Sequence, residues 1–263
     1  MNIPTPAIIP SGGPRVSFVI GGVQKGGTTA LAGILSRHPG IALPARKEAH
    51  FFDVDSRFAS GTPPFDAYHG LWGARFGIAT CGDATPAYCW WPPAAERIRD
   101  YNPAMRWVLL LRDPVSRAYS QWNMLRQRRQ VAMSFEAALD TEIAQMNERP
   151  GMFVRMADGA DHAFVSRGCY SQQLERLWRL FPREQFLIMR SEDLQGDPTP
   201  AVDRVCRFLG VAPMGQLAPF EAHVGRYTER LNPATRARLV ASFEGEYARL
   251  EAMLGWDLSD WRR

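Results

Sequence analysis

The sequence predicts an α/β protein, a single domain with a central, mostly parallel sheet flanked by helices. Three short apolar runs carry that prediction: Val16–Gly22 (VSFVIGG), Trp107–Leu111 (WVLLL) and Gln185–Met189 (QFLIM). None alternates with polar residues, which is the pattern of strands covered on both faces. Each is followed by a segment of helical character, giving the βα rhythm of a parallel sheet.

Taken in order, residues 1–14 read as a loose arm interrupted by prolines and 15–263 as the folded domain. After the first strand, Thr28–Arg37 sets Leu31, Ile34 and Leu35 at helical spacing, and His38-Pro39-Gly40 stops it. After the second, Asp113 is a suitable N-cap and Pro114 a suitable first helical residue, for a helix reaching Gln130. Ser134–Asn147 and Tyr170–Phe181 also read as helices. Asn232-Pro233 opens the last one, with Leu239, Phe243, Leu250 and Leu254 apolar and Gly255 closing it. Asp55–Gly70 and Arg149–Arg167 lack a period and are expected to be irregular loops of the kind that carries function.

Bulk properties narrow the classes. A chain of 263 residues, 46% hydrophobic and 22% charged, can bury a core and is not disordered by composition. The net charge of +4 tilts weakly toward anionic ligands. Scattered basic residues without a reading module argue against nucleic acid as a partner. Cys81, Cys89, Cys169 and Cys206 form no CxxC and read as reduced thiols of a cytoplasmic protein. No run approaches the ~20 apolar residues of a membrane span, and the N-terminus lacks the pattern of a secretory signal.

The chemistry starts at residues 21–29, GGVQKGGTT. Against the phosphate-loop pattern G-x-x-x-x-G-K-[ST], Gly21, Gly26 and Thr28 fall in place, but Gly27 occupies the lysine slot and Lys25 stands two residues earlier. A glycine-rich strand-to-helix turn still directs backbone N–H groups and a helix N-terminus at one anion. No strand ends in an aspartate free to hold Mg²⁺, since Asp113 is better used as a cap.

GVQKGGTTAL resembles the donor loop of sulfotransferases that use 3′-phosphoadenosine 5′-phosphosulfate (PAPS). KEAHFFD at 47–53 resembles a segment of the glycosaminoglycan N- and O-sulfotransferase branch, and LLLRDPVSRAYSQW at 109–122 the family's 3′-phosphate segment. GRYTERLNP, from Gly225, is similar to the late loop before the final helix, with weaker echoes in GDATPAY (82–88) and MRSEDL (189–194). The resemblance spans nearly the whole chain and implies a P-loop-like sulfotransferase fold.

It also implies roles. Lys25, Gly26, Gly27, Thr28 and Thr29 would hold the 5′-phosphosulfate; Arg112 and Ser120, joined by Gly225, Arg226 and Tyr227, the 3′-phosphate. Glu48 would be the general base, with His50 and Asp53 on the acceptor side and His50 the reserve candidate for the base. The product would be adenosine 3′,5′-bisphosphate, no metal would be required, and the acceptor would be a small molecule or a glycan. Relatives that act on polysaccharides commonly have a membrane anchor and a lumenal disulfide loop. Neither is apparent here, which implies a soluble, bacterial member and puts a polysaccharide acceptor in question. Several O-sulfotransferases have arginine where this chain has Thr29.

Read without the resemblance, Glu48 beside Arg46 and Lys47 is a solvated ion pair, His50 a core-edge histidine and Ser120 a helix-surface serine. Arg126, Arg128 and Arg129 are a solvated helix face, and Trp90 with Trp91 is a pair that could stack on an acceptor. Two further functions compete: a small-molecule kinase with an aberrant phosphate loop, and a nucleotide-binding module without turnover.

Overall fold

The structure, a computed structural model, describes residues 13–59, 63–148, 163–219 and 229–263. Its strands are β1 (Phe18–Gly22), β2 (Ile41–Ala42), β3 (Thr80–Asp83), β4 (Arg106–Leu111) and β5 (Phe186–Arg190). Its α-helices are α1 (Thr28–Leu35), α2 (Phe65–His69), α3 (Pro92–Tyr101), α4 (Pro114–Gln127), α5 (Phe135–Glu148), α6 (Tyr170–Leu180), α7 (Thr199–Leu209) and α8 (Pro233–Leu254). The chain divides into two compact units, Met1–Leu111 with Arg176–Ala222, and Arg112–Glu175 with His223–Arg263.

The first unit holds the sheet, whose order is β2-β3-β1-β4-β5 with every pairing parallel. The α/β class and the parallel sheet are as predicted, and β1, β4 and β5 are the three apolar runs. Strands β2 and β3 were not expected: two residues in one and TCGD in the other give no apolar run to read. The segment 55–70 is less irregular than expected, since it contains a 3₁₀ turn, Asp55–Phe58, and α2. Helices of one turn leave no period in a sequence.

Side chains alternate across the sheet, so Phe18, Ile20, Val108 and Leu110 share one face. They pack with Met189 against Leu31 and Leu35 of α1 and Val202, Val205 and Leu209 of α7. Each such side chain contributes about 1.5–3 kcal/mol by leaving water. From β1 the chain crosses to β2 at one edge, and from β4 to β5 at the other. The order reverses between β1 and β4, where open α/β sheets bind ligands at the carboxyl ends of their strands.

In the second unit Asp113 caps α4 as predicted, accepting from the N–H groups of Val115 (3.1 Å) and Ser116 (3.3 Å). The helix ends at Gln127, short of Gln130, with Arg129 at a φ of 57°. Buried Glu142 of α5 accepts the N–H groups of Phe164, Val165 and Ser166 at 2.7, 2.7 and 2.9 Å, which pins the end of the expected loop 149–167; residues 149–162 lie outside the described residues. Asn232 caps α8 through the Ala234 N–H (2.9 Å), and Gly255 ends it at a φ of 68°. All four cysteines are free. Among the described residues no helix is long and apolar enough to cross a membrane.

Candidate active site

The turn after β1 is shaped by its backbone. Val23 N–H donates to the Leu110 carbonyl (3.1 Å) and Gly26 N–H to the Val23 carbonyl (2.9 Å), so the turn lies against β4. A Cβ at Gly26 would overlap the Leu110 carbonyl oxygen and come within 2.9 Å of the Val23 side chain. Gly26 is therefore required by the neighbouring strand, a reason distinct from the ligand approach expected of it. Gly27 has a different reason, a φ of 94° that takes the chain into α1. Lys25 itself sits at a φ of 68° and is half-buried, Thr28 is buried and Thr29 exposed. The first turn of α1 has no acidic residue and no side-chain cap, so its N–H groups and the helix dipole present positive potential.

The loop 47–53 is held by side chains. Glu48 pairs with Lys47 through one oxygen and with His50 Nε2 through the other (3.2 Å), while His50 Nδ1 pairs with Asp53 Oδ2 at 2.7 Å. The structure thus joins Glu48, His50 and Asp53 in one chain of contacts and adds Lys47, the ion-pair partner of the plainer reading. Burial acts to raise the Glu48 pKa, but hydrogen bonds from His50 and Lys47 outweigh it and hold the carboxyl at about 2. His50 is raised to about 10, first by its hydrogen bond to Asp53, then by that to Glu48. At neutral pH the loop presents an ionised carboxylate clasped by two cations. The His50 side chain is 47% exposed, so it is not the core-edge histidine of the plainer reading.

Glu48 and His50 also have positive φ, 66° and 47°. Among the described residues only four non-glycine residues do, and Lys25, Glu48 and His50 are three of them. Such conformations cost on the order of 1–3 kcal/mol each and cluster at functional sites. In the second unit Arg112 is half-buried, its carbonyl accepting the Tyr170 hydroxyl at 2.9 Å, and Ser120 is buried on α4. Gly225, Arg226 and Tyr227 lie outside the described residues. Trp90 is buried, and Trp91 donates to Asp55 Oδ1 at 3.0 Å.

The parallel sheet sets a glycine-shaped turn at its switch point, where such sheets bind ligands, and the family match supplies the class. Residues 97–235, more than half of the chain, match the sulfotransferase domain. The chain belongs to the sulfotransferase family, a family of transferases. It is 28% identical over 200 residues to heparan sulfate glucosamine 3-O-sulfotransferase 5 of Mus musculus, covering 74% of this chain and 53% of that protein. To 3-O-sulfotransferase 6 of the same organism it is 32% identical over 195 residues, covering 73% and 52%. It spans about half the length of these curated relatives. A solved sulfotransferase from Alicyclobacillus acidocaldarius is similar at a TM-score of 0.76 and 32% identity, over 95% of this chain and 99% of that one.

Proposed function

We infer that this chain transfers a sulfuryl group from PAPS to a hydroxyl of a carbohydrate, glycolipid or secondary-metabolite acceptor, with an amine as the alternative. One observation carries the reading: the three residues given catalytic roles from sequence, Lys25, Glu48 and His50, are three of the four strained non-glycine residues described. The turn suits the donor, because it carries a lysine and leads into a helix whose first turn has no acidic residue and no side-chain cap.

The donor, when bound, supplies an activated sulfuryl group and leaves as adenosine 3′,5′-bisphosphate. Lys25 and the N–H groups of Gly27, Thr28 and Thr29 hold its 5′ end and stabilise negative charge there, while Gly26, its own N–H given to Val23, shapes the turn around it. A sulfuryl group carries less charge than a phosphoryl group, so a lysine and backbone dipoles suffice without a metal ion. Arg112 offers a fork of donors to the 3′-phosphate, with Ser120, Gly225, Arg226 and Tyr227 as its partners. Glu48 accepts the acceptor's proton. With a pKa of about 2 it is ionised at working pH but weakly basic, so it takes the proton only as the acceptor oxygen becomes acidic on bonding to sulfur. Protonated His50, anchored by Asp53, keeps that carboxylate in orientation. The four free cysteines support a cytoplasmic location.

The test is transfer of radiolabelled sulfuryl from PAPS to heparan sulfate and to a panel of simple glycosides and phenols. Labelled product with stoichiometric release of adenosine 3′,5′-bisphosphate is expected on at least one acceptor. Turnover of ATP with Mg²⁺, and none of PAPS on any acceptor, would overturn the reading in favour of a kinase.

A further inference from the structure

The roles assigned above leave out Asp83, a carboxylate wholly buried at the end of β3. Its Oδ2 accepts the hydroxyls of Tyr88 (2.6 Å) and Tyr68 (3.0 Å), and its Oδ1 that of Thr85 (2.7 Å). Two of the three hydroxyls are used twice. Tyr88 accepts the N–H of Phe51 at 3.1 Å, and Thr85 accepts that of His50 at 3.3 Å. Two consecutive backbone N–H groups, at 50 and 51, are thus tied to one buried carboxylate, each through a hydroxyl.

Those ties fall on the segment whose backbone is strained at Glu48 and His50. A left-handed conformation persists at non-glycine residues only where the surroundings over-determine it. The network has the means: Thr85, Tyr88 and Asp83 show no exposed surface, and burial raises both tyrosines, so their hydroxyls stay protonated and donate. Burial also raises Asp83, against the opposing hydrogen bonds of Tyr88, Thr85 and Tyr68.

We propose that Asp83 is the positioning residue of the site, holding Glu48 and His50 in their working arrangement by relay through Thr85 and Tyr88. It does not touch the acceptor. The inference rests on the reading of Glu48 as the base, but its first test does not depend on turnover.

That test compares Asp83→Asn, Thr85→Val, Tyr88→Phe and Tyr68→Phe in the full chain. Asn keeps the shape of Asp83 but turns one acceptor into a donor that faces Thr85 or the tyrosines. Val and Phe each cut one relay at constant size. Tyr68→Phe removes a donor to the same carboxylate yet leaves its ring stacked on Phe51, 4.4 Å between centroids, and no N–H of 49–51 bonds to its hydroxyl. The readout is the NMR titration of the His50 ring, assigned with His50→Gln. Thr85→Val and Tyr88→Phe are expected to move its midpoint down by about one unit or more, toward the free-histidine value. On whichever acceptor is turned over, they lower kcat by ~10²-fold with little change in the KM for PAPS, the effect of misplacing a reacting group by about 1 Å. Tyr68→Phe moves neither.

An unmoved midpoint in both relay variants, with native melting, overturns the proposal; so does an equal shift in Tyr68→Phe, which would make the network merely structural. Should Asp83→Asn not fold, the relay variants decide. Should the wild type transfer nothing, the midpoint still decides, so failure of the functional reading is told apart from failure of this one.

Discussion

The turn at Lys25–Gly27 and the loop at Lys47–Asp53 both carry the side chains proposed to react on strained backbone, yet they are held by opposite means. The turn is fixed by main chain: hydrogen bonds to Leu110 and Val23, and a glycine with no room for a Cβ. The loop is fixed by side chains, with ion pairs on its outer face and hydroxyls tied to Asp83 beneath it. A backbone-built site suits a donor whose charged end is invariant. A side-chain-built site can be retuned for another acceptor without disturbing the turn.

That contrast is open to breakage, most strongly at the two reactive groups. Glu48→Gln keeps the loop's size but removes the proposed base, and is expected to lower kcat by ~10²–10⁴-fold with donor binding intact; full activity would remove Glu48 from the role and shift it to His50. Lys25→Ala should lower kcat by ~10²–10³-fold, the usual loss for one charge-stabilising donor, and should also weaken the nucleotide product, measured by steady-state kinetics and calorimetry. Gly26→Ala tests the backbone half alone. Overlap with the Leu110 carbonyl should destabilise the fold by about 1–3 kcal/mol and abolish nucleotide-induced stabilisation in a thermal melt. An alanine tolerated without loss would mean that the turn can move off β4.

The smallest effect is in pH dependence and belongs to the loop. Glu48 has a folded pKa below its free value, so its contribution to stability is present above pH 4.5 and is lost as pH falls toward about 2. His50 is raised, so its contribution is complete below pH 6.5 and is lost as pH rises through about 10. Both groups are partly exposed, which screens the effect. Melting temperature followed from pH 6 to pH 10 should fall more steeply in the wild type than in His50→Gln; parallel curves would say that the pairs do not matter in solution.

Much of this was legible in the sequence where physics is local. Apolar runs read as β1, β4 and β5, and Asp113, Asn232 and Gly255 read as helix ends because caps depend on neighbouring residues. Lys25, Glu48, His50 and Asp53 were singled out by resemblance to a family's motifs. Asp83 stood in a segment, GDATPAY, that looked like a faint echo only. Its proposed role rests on distant partners, Tyr68 on α2 and, through Thr85 and Tyr88, the N–H groups of residues 50 and 51, and no spacing records such contacts. The same holds for Gly26: its glycine is explained by a carbonyl on β4, far along the chain.

The most direct test of the central claim is a calorimetric titration of the wild type and Lys25→Ala with adenosine 3′,5′-bisphosphate, 5′-AMP, ADP and ATP with Mg²⁺. The account predicts that the 3′,5′-bisphosphate binds the wild type far more tightly than the other three, and that Lys25→Ala loses most of that preference. Tightest binding of ATP with Mg²⁺, undiminished in Lys25→Ala, would contradict it.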